Sequence, residues 1–171
     1  NLTPNFNALQ KKNPFIRRDM GKCILCGRCI RACRDLVGHG IFDYTGRGFH
    51  ARPAALGDGP LSESDCIFCG TCVSMCPTGA LLIESESHIS TPDQEKLSIC
   101  GFCSVGCHIK AGIHSSKVVE VNPAHQINSI NNSTLCVRGH FTHDYLDSAK
   151  RLTYPMIRKN GILERASWDE A

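Results

Sequence analysis

Twelve cysteines in three groups of four constrain this 171-residue chain more than any other feature. Cys23, Cys26, Cys29 and Cys33 are spaced C-x2-C-x2-C-x3-C, and Cys66, Cys69, Cys72 and Cys76 repeat that spacing with Pro77 next. Cys100, Cys103 and Cys107 form C-x2-C-x3-C, and Cys136 stands alone 29 positions later. Soft thiolates suit iron–sulfur cores and zinc, and four thiolates are the complement of one [4Fe–4S] cluster. The first reading is therefore three clusters. In paired runs of this kind the fourth cysteine ligates the other cluster. That assigns Cys23, Cys26, Cys29 and Cys76 to a first cluster and Cys66, Cys69, Cys72 and Cys33 to a second. Cys100, Cys103, Cys107 and Cys136 make the third set. A zinc site of four cysteines remains the alternative for this third set. His108 and His140 beside it read as surface or supporting groups, because four cysteines already complete the set.

An even cysteine count also suits a disulfide scaffold, so spacing has to decide. Cysteines three apart converge on one point more readily than they pair off. The chain shows no secretory apolar segment at its start, and the expected compartment is the cytoplasm. Aromatic residues are 6% of the chain and the apolar positions come in short runs, so metals are expected to hold the fold where a large core would otherwise do so. No apolar run approaches the ~18 residues of a membrane span. The formal charge is +3, but a cluster with its four thiolates carries about −2. Three clusters bring about −6, so the basic residues partly compensate buried anions. Lys11, Lys12, Arg17, Arg18, Lys22, Arg28, Arg31 and Arg34 gather around the first motif. They read either as a solvated face or as groups that tune a cluster or dock a redox partner. They do not interleave with aromatics, so nucleic acid is not an expected partner.

The fold class expected is α+β: a two-cluster bacterial ferredoxin-like module followed by a small, mostly antiparallel-β [4Fe–4S] domain. Residues 1–20 read as an extended lead-in. Residues 21–85 contain an internal repeat, since Cys23-Ile24-Leu25-Cys26-Gly27-Arg28-Cys29 matches Cys66-Ile67-Phe68-Cys69-Gly70-Thr71-Cys72 at an offset of 43. Each half is expected to have a ligand loop and a short helix carrying the fourth cysteine. Phe42, Tyr44 and Phe49 are candidate strand contacts between the halves, and residues 80–84 read as a strand. Residues 86–96 are a polar linker. Residues 97–150 form the third cysteine domain, with a hairpin predicted from the alternation around Ile109–Ile113 and Val118–Val121. In residues 151–171 the Asn160-Gly161 dipeptide predicts a second hairpin, and Ser167 with Glu170 has the spacing of a capping box that opens a helix.

Cys100-Gly101-Phe102-Cys103-Ser104-Val105-Gly106-Cys107, with Leu135-Cys136-Val137-Arg138-Gly139-His140-Phe141, resembles the amino-terminal iron–sulfur domain of molybdopterin oxidoreductases. Formate dehydrogenases and the large iron–sulfur subunit of complex I share it. Asn13-Pro14-Phe15-Ile16-Arg17-Arg18-Asp19 with the first motif is similar to the entry to the ferredoxin module in formate dehydrogenase catalytic subunits, and Trp168-Asp169-Glu170-Ala171 resembles the start of the pterin-binding part. The resemblance implies an internal piece of a longer catalytic subunit. Electrons would pass between a molybdopterin site holding Mo or W, further along, and redox partners such as diaphorase, hydrogenase or other iron–sulfur subunits. It implies no catalytic residue within this chain, so the piece alone would not turn over. Formate dehydrogenases usually carry lysine two positions after the fourth cysteine; here it is Arg138. Arginine keeps the charge and can fork onto an acceptor, so Arg138 is the expected relay or pterin contact. The same departure leans toward the alternative, a complex I-like or hydrogenase-associated conduit without a pterin.

Overall fold

In the computed structural model, which describes residues 14–84, 91–125 and 128–171, the internal repeat closes on itself. Strand β1 (Ile16–Arg18) pairs antiparallel with β4 (Leu81–Ile83), Ile16 opposite Ile83 and Arg18 opposite Leu81. Strand side chains alternate faces, and here Ile16 and Arg18 turn inward while Arg17 is less buried. Residues 16–18, expected in the lead-in, are thus part of the ferredoxin-like sheet; residues 1–13 of that lead-in lie outside the described residues. Between β1 and β4 run helix α1 (Arg28–Arg31), strands β2 (Phe42–Thr45) and β3 (Arg52–Ala55) paired as a hairpin, and helix α2 (Thr71–Ser74). Phe49 sits in an exposed 3-10 turn at the tip of that hairpin, not in a strand.

Helices of four residues have no stability of their own; these two are held by what they bury. Cys29 and Ile30 of α1 and Cys72 of α2 join Ile16, Met20, Phe42, Ala55, Leu61, Ala80 and Leu81 in one core. The thiols are therefore part of the core. A π-type turn, Ala32–Leu36, extends α1 and carries Cys33. The second half differs from expectation, because α2 stops at Ser74 and Cys76 lies beyond its end. Pro77 explains this, since the residue before a proline is disfavoured in helical conformation.

The second region begins earlier than the predicted linker end. Strand β5 (Gln94–Ile99) pairs with β6 (His108–His114), which pairs with β7 (Lys117–Pro123), all antiparallel; residue 85 and linker residues 86–90 lie outside the described residues. The predicted hairpin is β6–β7, turned by Ser115 and Ser116, both left-handed at φ 50° and 64°. Ala111, Val119, Val121, Ala124 and Leu135 form its small core. Helix α3 (Val137–Phe141) follows directly on Cys136.

Asn131 fixes the loop that delivers Cys136. Its side-chain oxygen accepts from the His108 amide at 2.9 Å, and its amide donates to His108 O at 3.3 Å and Thr134 O at 2.7 Å. Asn131→Ala leaves part-buried backbone groups unpaired, and a stability loss of about 1–3 kcal/mol is expected; chemical denaturation of the cluster-loaded protein measures it.

Strands β8 (Met156–Lys159) and β9 (Ile162–Arg165) form the second predicted hairpin, with Asn160 and Gly161 left-handed at its turn. Ser167 and Glu170 make the reciprocal bonds of a capping box, Ser167 N to Glu170 Oε2 at 2.8 Å and Glu170 N to Ser167 Oγ at 3.2 Å, around a turn at 168–170. Short helices and small antiparallel sheets together make the class α+β. Among the described residues no helix is long and apolar enough to cross a membrane.

Candidate metal centres

Two largely apolar cavities lie in the repeat region. Cys23, Cys26, Cys29 and Cys76 line the first, with Met20, Phe42, Pro53 and Leu81 among the walls. Cys33, Cys66, Cys69 and Cys72 line the second, with Ile16, Ile41 and Phe42. Each cavity thus receives three cysteines from one motif and the fourth from the other. Phe42, 4% exposed, belongs to both walls.

The backbone around the thiols is duplicated along with the sequence. Leu25 and Phe68, equivalent positions in the repeat, both take left-handed conformations at φ 56° and 52°. Such a conformation costs a residue with a Cβ on the order of 1–2 kcal/mol. It turns the Leu25 amide toward Cys23 Sγ and the Phe68 amide toward Cys66 Sγ, each at 3.4 Å. The Ile41 amide donates to Cys33 Sγ at 3.3 Å. Amide donors of this kind favour thiolate over thiol. Burial works the other way. It pushes the Cys29 thiol up to about 11 and holds Cys72 well above its ordinary value, with neighbouring thiols adding to the effect at Cys72. At Cys76 burial also pushes upward, but bonds from the backbones of Leu81, Thr78 and Ala80 and from the Thr78 hydroxyl outweigh it and leave the thiol below its ordinary value.

The third set gathers at the open end of the β5–β6 pair. The Cys100 amide donates to Cys107 O at 2.8 Å, closing the ligand loop. Burial raises the Cys107 thiol, and the charges of Cys100, Cys103 and Cys136 raise it further, so the four sense one another. A Cβ at Gly139 of α3 would stand 3.6 Å from Cys100 Sγ, which places the helix against the loop. Cys103 and Cys136 are exposed. Arg138 is exposed beside them, and its carbonyl accepts from the Thr142 hydroxyl at 2.7 Å.

Helix α3 also joins this set to the second cavity. His140 is fully buried, at 0% exposure, and a Cβ at Gly70 would fall 2.6 Å from its Nδ1. Gly70 lies between Cys69 and Cys72 and lines the second cavity. The Phe141 ring packs tilted against Phe15 at 5.3 Å between centroids, and Phe15 packs tilted against Phe68 at 5.6 Å. His140 is thus a supporting group, as expected beside the third set, but it supports the neighbouring motif as well. His108 is half-buried on β6.

These residues fit iron–sulfur clusters. All twelve cysteines are free, and eight of them gather in fours at apolar-walled cavities where amides meet several of the sulfurs, the donor chemistry of thiolates that a metal deprotonates. Among the described residues no three His, Cys, Asp or Glu side chains close on the spacing of a single bare ion; a cubane spreads its four ligands more widely.

Residues 13–82 match the ferredoxin-like domain of NADH-quinone oxidoreductase subunit 3. Residues 93–148 match the Fe4S4 domain of molybdopterin oxidoreductases. Residues 93–148 are thus similar to the iron–sulfur domain of molybdopterin oxidoreductases, and residues 13–82 to a ferredoxin-like domain. Two relatives, each named "Putative formate dehydrogenase", come from Staphylococcus aureus strains USA300 and N315. Both are 28% identical over 92% of this chain, which spans 20% of each of them. The Fe4S4 match over residues 93–148 favours an iron–sulfur cluster over zinc at the third cysteine group. Both matches are to iron–sulfur domains, the cofactor class that the cysteine-lined cavities fit.

The sequence reading missed several groups that act on the thiols: the Leu25, Ile41 and Phe68 amides and Thr78; Arg18 stands among the basic residues read as a solvated face or as cluster-tuning groups, without a sign of its burial. Only the Leu25 and Phe68 amides left a signal, the 43-residue repeat that makes their positions equivalent.

Proposed function

We propose that this chain holds three [4Fe–4S] clusters and carries electrons between a molybdopterin formate/CO2 site in the longer protein and redox partner subunits. The ligands proposed are Cys23, Cys26, Cys29 and Cys76; Cys66, Cys69, Cys72 and Cys33; and Cys100, Cys103, Cys107 and Cys136. When bound, each cluster supplies a one-electron site. The observation that carries the reading is the contact of α3 with the second motif, since it makes the three thiol sets contiguous. His140 against Gly70 places the third set beside the Cys33-containing cavity, and Phe42 joins that cavity to the first. Apolar walls shelter two thiol sets, and the order proposed is third set, second cavity, first cavity. Arg138, exposed on α3, is the proposed contact to the pterin side.

Metal analysis of the native assembly tests the reading. About one Mo or W per chain together with formate-dependent dye reduction is expected; absence of both leaves the conduit reading, a complex I-like or hydrogenase-associated subunit without a pterin. The match of residues 13–82 to a NADH-quinone oxidoreductase domain favours that second reading, as does arginine at position 138.

A further inference from the structure

Arg18 is a charged residue in a place where the fold would accept a hydrocarbon. It lies on the inward face of β1, two residues after Ile16, and is 3% exposed. Its Nη2 donates to Pro53 O at 2.8 Å, and Pro53 lines the first cavity. Its guanidinium carbon stands 5.8 Å from the centroid of Phe42, which lines both cavities. Ile16, on the same face of the strand, lines the second. Cys29 of the first set and Cys72 of the second both act electrostatically on Arg18. Asp58 and Arg52 act on it too, with opposite signs, and they are ion-paired with each other. The net charge of the three is therefore that of Arg18, the one of them that is buried.

Burying a cation is costly unless anions compensate it. Burial pulls the Arg18 pKa below its ordinary value, yet an arginine side chain stays charged in a protein. Each cluster with its four thiolates carries about −2, and one-electron reduction takes it to about −3. A fixed positive charge beside it favours the reduced form. Arg28 and Arg31, exposed on the same motif, act through water and are screened by salt; Arg18 is not.

We propose that Arg18 is a fixed internal cation shared by the two ferredoxin-type clusters, which raises the reduction potentials of both and so sets the energy at which the pair accepts electrons. This rests on the cluster assignment above, and counting iron and sulfide in each variant separates its failure from the failure of that assignment.

The test is an EPR-monitored potentiometric titration with dithionite of the full protein carrying its clusters, as wild type, Arg18→Lys, Arg18→Gln and Arg18→Met. Removing the charge is expected to lower the reduction equilibrium of both clusters by at least about tenfold, each tenfold being about 59 mV for one electron. Arg18→Lys should stay closer to wild type than either neutral variant, and the shift should persist at high ionic strength. Should the neutral variants fail to load while Arg18→Lys loads, the need for the buried charge is supported by that contrast. The proposal is overturned if a loaded neutral variant keeps both potentials, if only one cluster shifts, if salt abolishes the shift, or if Arg18→Lys loses its clusters.

Discussion

Replacing Cys33 with alanine will remove the cluster bound at the second motif and leave the one at the first. The iron content is expected to fall from about twelve to about eight per chain, and the species lost should be the one that Cys66→Ala also loses. Cys76→Ala should match Cys23→Ala in the same way. The expectation follows from the cavity walls, where Cys33 stands with Cys66, Cys69 and Cys72, and Cys76 with Cys23, Cys26 and Cys29. Each cluster then ties the two halves of the repeat together. Structural metal sites in small domains contribute on the order of 10 kcal/mol to folding, so either variant should also lose much of its resistance to denaturant. Anaerobic iron and sulfide assays with EPR of the dithionite-reduced protein read the result. If Cys33→Ala instead shares its missing signal with Cys29→Ala, each motif binds its own four cysteines and the crossing is wrong.

The cysteine spacing made legible which thiols gather at each cavity, because residue identity and separation are both written in the chain. The two hairpins were legible for a similar reason. Alternating apolar residues around Ile109–Ile113 and the Asn160-Gly161 turn are local signals. What stayed hidden depended on long-range contact. Arg18 reads as one of several basic residues, and only the pairing of Arg18 with Leu81 across β1 and β4 turns it inward. Leu25 and Phe68 carry no composition signal for a left-handed backbone; their thiol-directed amides set the conformation. The helix expected to carry Cys76 failed on a signal that was present, since Pro77 argued against it. His140 reads as a surface or supporting group, and nothing near it in sequence points to Gly70, seventy positions earlier.

That contact carries the second large prediction. Gly70→Ala puts a Cβ on a residue at φ 76° and drives it to 2.6 Å from Nδ1 and 2.7 Å from Cγ of a fully buried imidazole. The left-handed conformation costs about 1–2 kcal/mol, and forcing a methyl into a packed site costs about 1–3 kcal/mol more. A total loss of about 2–5 kcal/mol is expected. Gly27→Ala is the internal control. It occupies the equivalent position of the first motif at φ 67°, but the nearest atom, at 2.8 Å, is the hydroxyl of Tyr44, an exposed side chain that can swing away by giving up its bond to Leu25 O. Its loss should stay near the backbone cost plus that one exposed hydrogen bond. The two variants should also differ in kind. Gly27→Ala disturbs only the first motif, whereas Gly70→Ala pushes α3 and Cys136 away from the second cavity. Denaturation of the cluster-loaded proteins gives the stabilities. Freeze-quench EPR gives the rate at which an electron leaves the third cluster for the second, expected to slow in Gly70→Ala alone. Equal stability losses with equal transfer rates would mean that the His140–Gly70 contact neither anchors the third domain nor sets the order of the three sites.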